Sequence, residues 1–158
     1  MTPQAPASSD EAGANTGAGR IRTAARWALG GTLVVAGIGH LTSQRQEFRA
    51  QVPDWMPIDD DLVVLASGVA EIALGLALIV LRRQRVAAGL VAAGFFVVVF
   101  PGNIAQYTEG TDAFGLDTDA KRLVRLFFQP LLVIWALWST GATGWLARRG
   151  TARTARSL

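Results

Sequence analysis

The chain has 158 residues, one domain's worth, and half of them are apolar with positive mean hydropathy. It has no cysteine, which excludes disulfides, thiolate metal sites and CxxC redox chemistry, and one histidine, which excludes bis-histidine haem ligation within one chain. The net charge of +3 and pI near 10.5 would suit nucleic acid, but the arginines flank long apolar runs, where the positive-inside rule accounts for them better.

Residues 1–19 are Ala, Gly, Ser, Pro and Thr with two acids, without periodicity. That composition predicts a disordered cytoplasmic tail. A membrane domain over residues 20–147 follows, and a basic cytoplasmic tail over 148–158. Four apolar runs are read as spans: 23–41, 62–81, 86–107 and 122–138, each near the roughly 20 residues a bilayer requires. The first is entered through Arg20, Arg22 and Arg26. Arg82, Arg83 and Arg85 separate the second and third, and Arg148 and Arg149 follow the fourth. The alternation predicts an all-α, four-transmembrane-helix bundle in the cell membrane, with both termini cytoplasmic. The lipid bilayer is its first partner, and nucleic acid is not one.

Two outer loops complete this reading. In residues 42–61, Phe48, Val52, Trp55 and Met56 fall at i, i+4, i+7 and i+8, the spacing of one apolar helix face. A short helix lying on the membrane surface is expected there, interrupted by Pro53 and Pro57. Residues 108–121, rich in Gly, Thr and Asp, read as a plain solvated loop.

Glu71 is the only charge within 62–81. At about 1.5 Å per residue it lies roughly 13 Å below the outer surface, near mid-bilayer. A carboxyl at that depth is costly and should face protein or a water-filled cavity. Helical spacing groups the other polar residues with it. Ser67, Glu71 and Gly75 form one stripe; Gly30, Leu33, Gly37 and His40 another; Arg122, Arg125 and Gln129 share a face of the fourth span. Asn103 ends a stripe of the third that also carries Phe96 and Phe100. Small residues mark close helix approach in membranes. These stripes are therefore expected to face inward around a polar pocket in the outer half, made by His40, Ser67, Glu71, Asn103, Arg125 and Gln129. Two physical solutions stand open for Glu71: protonation on burial, or an ion pair with Arg125, with His40 or Gln129 adding hydrogen bonds. The same constellation also serves simply to fasten four helices. A proton pathway is a further alternative, although one mid-depth carboxyl makes no relay across the inner half.

Several stretches resemble the DoxX-like family of small bacterial membrane proteins. They are AGIGHL at 36–41, VPDWMP at 52–57, SGVAEIALGLAL at 67–78, FPGNIAQY at 100–107 and RLFFQPLLVIWALW at 125–138. The likeness departs at Leu41, where the family has an aromatic after the histidine. It implies a four-helix membrane bundle with His40, Glu71 and Asn103 as characteristic polar positions. Some members of the family are associated with quinol oxidation or thiosulfate:quinone oxidoreduction, and some with oxidative-stress complexes.

Two functional readings follow. The first is a non-enzymatic binding or complex-forming subunit with a polar pocket in the outer half, and no catalytic or metal-binding residue assigned. The alternative is a quinone-linked membrane oxidoreductase subunit, with His40, Glu71, Phe96 and Phe100 around quinone and electrons supplied by another subunit. No haem, flavin, nucleotide or metal motif is present in the sequence. Partner membrane or redox subunits and self-association are compatible with either reading. A small transporter is weaker, since no inverted repeat is evident.

Overall fold

Six helices run along residues 9–53 and 55–154, the part of the chain that the computed structural model describes. They are α1 (Ser9–Leu41), α2 (Arg45–Arg49), α3 (Asp60–Val80), α4 (Arg85–Thr108), α5 (Asp119–Thr140) and α6 (Ala142–Thr154). Local chemistry sets their ends. Asp59 caps α3, its carboxylate accepting from Leu62 N at 3.0 Å. Thr118 caps α5 in the same way through Lys121 N at 3.4 Å. Gly141 closes α5 at φ 80, a left-handed conformation that glycine reaches without steric cost.

The four-span expectation is overturned. Among the described residues, three helices are long and apolar enough to cross a membrane: α3, α4 and α5. The expected first span, 23–41, lies within α1 but falls outside this set. Arg26, His40 and Gly30, Gly31, Gly37 and Gly39 dilute its Leu and Val content. With three candidate spans, the even count that put both termini on one side is lost, and the cytoplasmic placement of both ends goes with it. The architecture is a six-helix, all-α bundle. Because α1 begins at Ser9, residues 9–19, expected as part of a disordered tail, form its first turns; residues 1–8 lie outside the described part. At the other end α6 continues to Thr154, and the rest of the expected basic tail lies outside the described residues.

Packing makes two helix pairs. The most extensive contact joins α1 to α3, the next α4 to α5, and α1 crosses to α5 to tie the pairs together. The contact of α3 with α4 is much smaller. Glycine brings α1 and α3 together. A Cβ at Gly37 would lie 2.5 Å from Gly68 O and 3.0 Å from Ile72 N, and one at Gly75 would lie 2.5 Å from Gly30 O. The two backbones touch, as small residues permit in membrane helices.

The apolar core of Leu29, Leu33, Leu78, Ala88, Ala92, Ala93, Phe96 and Ala136 fills the half of the bundle nearer the Arg82–Arg85 connection. Outside it, Val69, Leu76, Val97, Val98, Phe127 and Ile134 are exposed along α3, α4 and α5. Such continuous apolar exteriors are consistent with a multi-pass protein embedded in lipid.

The loop expectations also change. The surface helix of the first loop shrinks to the single short α2, with Pro53 and Pro57 following it. Phe48 turns inward, away from the membrane surface. In the second loop Ala113 is buried, and Phe114 takes a positive φ of 56 that points it under the bundle. Arg122 anchors this loop through ion pairs to Asp112 and Asp119 and a hydrogen bond to Thr111 O at 3.3 Å.

Candidate functional site

The half of the bundle away from the core is hollow. A cavity of about 990 Å³ opens there, walled by α1, α3, α4 and α5 and roofed by the α2 segment and the loop after α4. His40, Ser67, Glu71, Asn103, Arg125 and Gln129 all line it.

The α1–α3 wall carries an acid and an imidazole. The close approach at Gly37 and Gly68 brings the next turns together, and His40 Nδ1 comes within 3.1 Å of Glu71 Oε2. The same Nδ1 is 3.0 Å from Ala36 O. A carbonyl oxygen only accepts, so the contact with Ala36 O is a hydrogen bond in the tautomer that carries its proton on Nδ1. Glu71 Oε2, although beside Nδ1, is a buried acceptor without a hydrogen bond. Phe48 stacks on the imidazole with centroids 3.3 Å apart, and Phe114 meets Phe48 edge-on at 4.5 Å. Glu47 holds that loop in place by accepting from Phe114 N at 2.6 Å. Ser67 turns its hydroxyl back to Val64 O at 2.9 Å.

The opposite wall, from α4 and α5, carries a chain of neutral and cationic donors. Arg125 donates through Nε to Asn103 Oδ1 at 3.1 Å and through a terminal nitrogen to Gln51 Oε1 at 2.9 Å. Asn103 passes its own amide protons to Gln129 Oε1 at 2.9 Å, and Gln129 Nε2 donates to Phe96 O at 2.6 Å. That carbonyl lies next to Val97, whose own partner is removed by the ring of Pro101. The helix thus offers backbone acceptors at the level of Gln129. The guanidinium of Arg125 also lies 5.3 Å above the Phe114 ring.

Glu71 and Arg125 do not pair. Glu71 faces His40, and among the described residues no carboxylate is in ion-pair contact with Arg125. Helical spacing placed both groups on inward faces, but α1 rather than α5 is the neighbour of α3. Phe100, a candidate for the quinone reading, does not line the cavity, whereas Phe95 and Phe96 do. Gln106 points away from it into the second loop. Gln51, Phe48 and Phe114 belong to the site and were not expected there. Phe48 had a signal in its helical spacing, which was read as pointing toward lipid. For Phe114 there was none. Among the described residues no group of three His, Cys, Asp or Glu is close enough to hold a metal ion.

A family model described as a domain of unknown function, DUF8561, matches residues 29–140. The match begins in α1, ends with α5 and covers most of the chain. This protein belongs to that family. No curated protein and no solved structure matches it. The matched region contains every cavity-lining residue named above.

Proposed function

We propose that this is a membrane protein that holds a small amphiphilic molecule in the cavity between its helix pairs. One observation carries the reading: an apolar bundle surrounds an open cavity of about 990 Å³ whose walls carry unpaired polar atoms of Gln51 and Glu71. Ligand pockets of roughly 300–1,000 Å³ with few, convergent polar groups are the usual form of a small-molecule site. The arginine-rich connection between α3 and α4 faces the cytoplasm in this reading, which puts the cavity in the outer half. The resemblance to the DoxX-like family agrees with a small bundle that works as a subunit among other membrane proteins. Mass spectrometry of protein extracted in mild detergent from its own membranes tests the proposal. A bound amphiphile at one per chain, lost in Glu71→Ala while the fold survives, is the expected result. An empty protein, or one retaining its ligand unchanged in that variant, would refute it.

A second reading, a quinone-linked oxidoreductase subunit, is favoured by His40 beside Glu71 at the cavity wall, next to Phe96. An imidazole and a carboxyl together can hydrogen-bond and protonate quinone oxygens. Electrons would come from another subunit. Quinone in the extract, and quinol turnover that depends on His40, distinguish this reading from the first.

A further inference from the structure

Two features of the cavity remain without a partner among the described residues. At one end, Arg125 has only neutral hydrogen-bond partners, and Gln51, which accepts from it, has a buried Nε2 with no acceptor. Among the described residues, two donors therefore converge there without an anion. Lys121 also lines the cavity, with its Nζ already paired to Asp117. Of the described acids, Glu47 accepts from Phe114 N, and Glu71 lies beside His40 across the cavity. Glu71 Oε2 meanwhile has no hydrogen-bond donor.

The cavity also has a side exit. Ala70, Phe95 and Val98 line both it and a second groove of about 590 Å³, which Ala73, Val91 and Gly94 continue between α3 and α4. This groove is almost wholly apolar and lies between two helices whose mutual contact is small. From Asn103 to Val91, α4 rises roughly 18 Å at about 1.5 Å per residue. Val91 to Val98, the groove's own stretch, makes roughly 10 Å of that rise at about 1.5 Å per residue, and the cavity continues it to the donor cluster.

Resting on the cavity reading above, we propose that the occupant is a single-chain glycerol phosphate lipid that enters sideways from the bilayer between α3 and α4. Its phosphate meets Arg125 and Gln51. Its free glycerol hydroxyl supplies the donor that Glu71 Oε2 lacks, and its acyl chain lies in the groove. Charge-assisted, forked hydrogen bonding to phosphate is what a guanidinium provides best. A desolvated arginine without a counter-anion is costly, and an anionic headgroup removes that cost.

Three probes separate the elements: monopalmitoyl glycerol phosphate, monopalmitoyl glycerol and glycerol phosphate, each titrated into delipidated full-length protein and followed by native mass spectrometry. The first is expected to bind one per chain, about tenfold or more tighter than either of the others. Arg125→Gln removes the advantage of the phosphate. Gly94→Leu, at a position open enough to accept a side chain, blocks the groove and weakens the acylated probes alone. If the neutral monoglyceride binds as tightly as the phosphate lipid, the headgroup assignment is overturned while the cavity reading stands. Equal binding of glycerol phosphate overturns the groove. Failure of all three, with the protein folded, overturns both proposals.

Discussion

Gly37→Ala tests the packing that creates the site. The added methyl would lie 2.5 Å from Gly68 O, 2.7 Å from Ile72 Cγ1 and 3.0 Å from Ile72 N. Two of these are backbone atoms, which cannot swing aside, so α1 must separate from α3 at the turn below His40. Gly31, six residues earlier on the same helix, has nothing within 4 Å of its ideal Cβ. Both substitutions gain the same helix propensity, roughly 1 kcal/mol, which cancels in their comparison. The remaining difference is overpacking, about 1–3 kcal/mol against Gly37→Ala. Thermal unfolding of the two variants in the same detergent, followed by tryptophan fluorescence, measures it. Gly37→Ala should unfold at lower temperature than the parent and Gly31→Ala at or above it. Two variants of equal stability would mean that the helices do not meet backbone to backbone there.

Three further outcomes follow from the geometry. Asn103→Leu removes the link between Arg125 and Gln129 and leaves a half-buried guanidinium and a buried amide short of partners, costing about 1–3 kcal/mol; unchanged detergent unfolding would show that the network carries no stability. Phe114→Ala takes away the edge that supports Phe48 over His40, so amide exchange should accelerate in both α2 and residues 110–116; acceleration confined to the second loop would deny the coupling. Lys121 Nζ, 2.6 Å from Asp117, holds that carboxyl below its ordinary value. A depressed value means that the pair is complete above the ordinary aspartate range and dissolves as pH falls through the lowered one. Carboxyl carbon NMR should show Asp117 titrating below about 3.9, and titration at or above that value would contradict the pairing.

Much of this was legible from residue spacing alone, within limits set by physics. The stripe of Gly30, Gly37 and His40 announced a close helix contact, because only small residues allow backbones to touch. A lone Glu71 in an apolar run announced an inward face. The neighbour of each helix was not legible. Periodicity gives the direction of a side chain on its own helix and says nothing about which helix stands opposite, so Glu71 was considered with Arg125 although α3 lies against α1. Gly68, the other half of the Gly37 contact, was missed because attention followed the polar residues beside it. Counting spans by length admitted α1, whose Arg26, His40 and glycines weaken its apolar character. The inward turn of Phe114 depends on a positive φ at a phenylalanine, a conformation that its own side chain disfavours and that the loop contacts impose.

The central claim is a cavity, reachable from outside the protein, at the depth of Glu71 in α3. Because the chain has no cysteine, Ser67→Cys introduces a single thiol on the cavity wall, and Leu78→Cys a single thiol in the closed core. Labelling both in membranes with a maleimide is the most direct test. The account predicts that the thiol at position 67 reacts, that monopalmitoyl glycerol phosphate protects it, and that the thiol at position 78 stays inert. Equal inertness at both positions in folded protein would mean that the helices close on one another and that no such cavity exists.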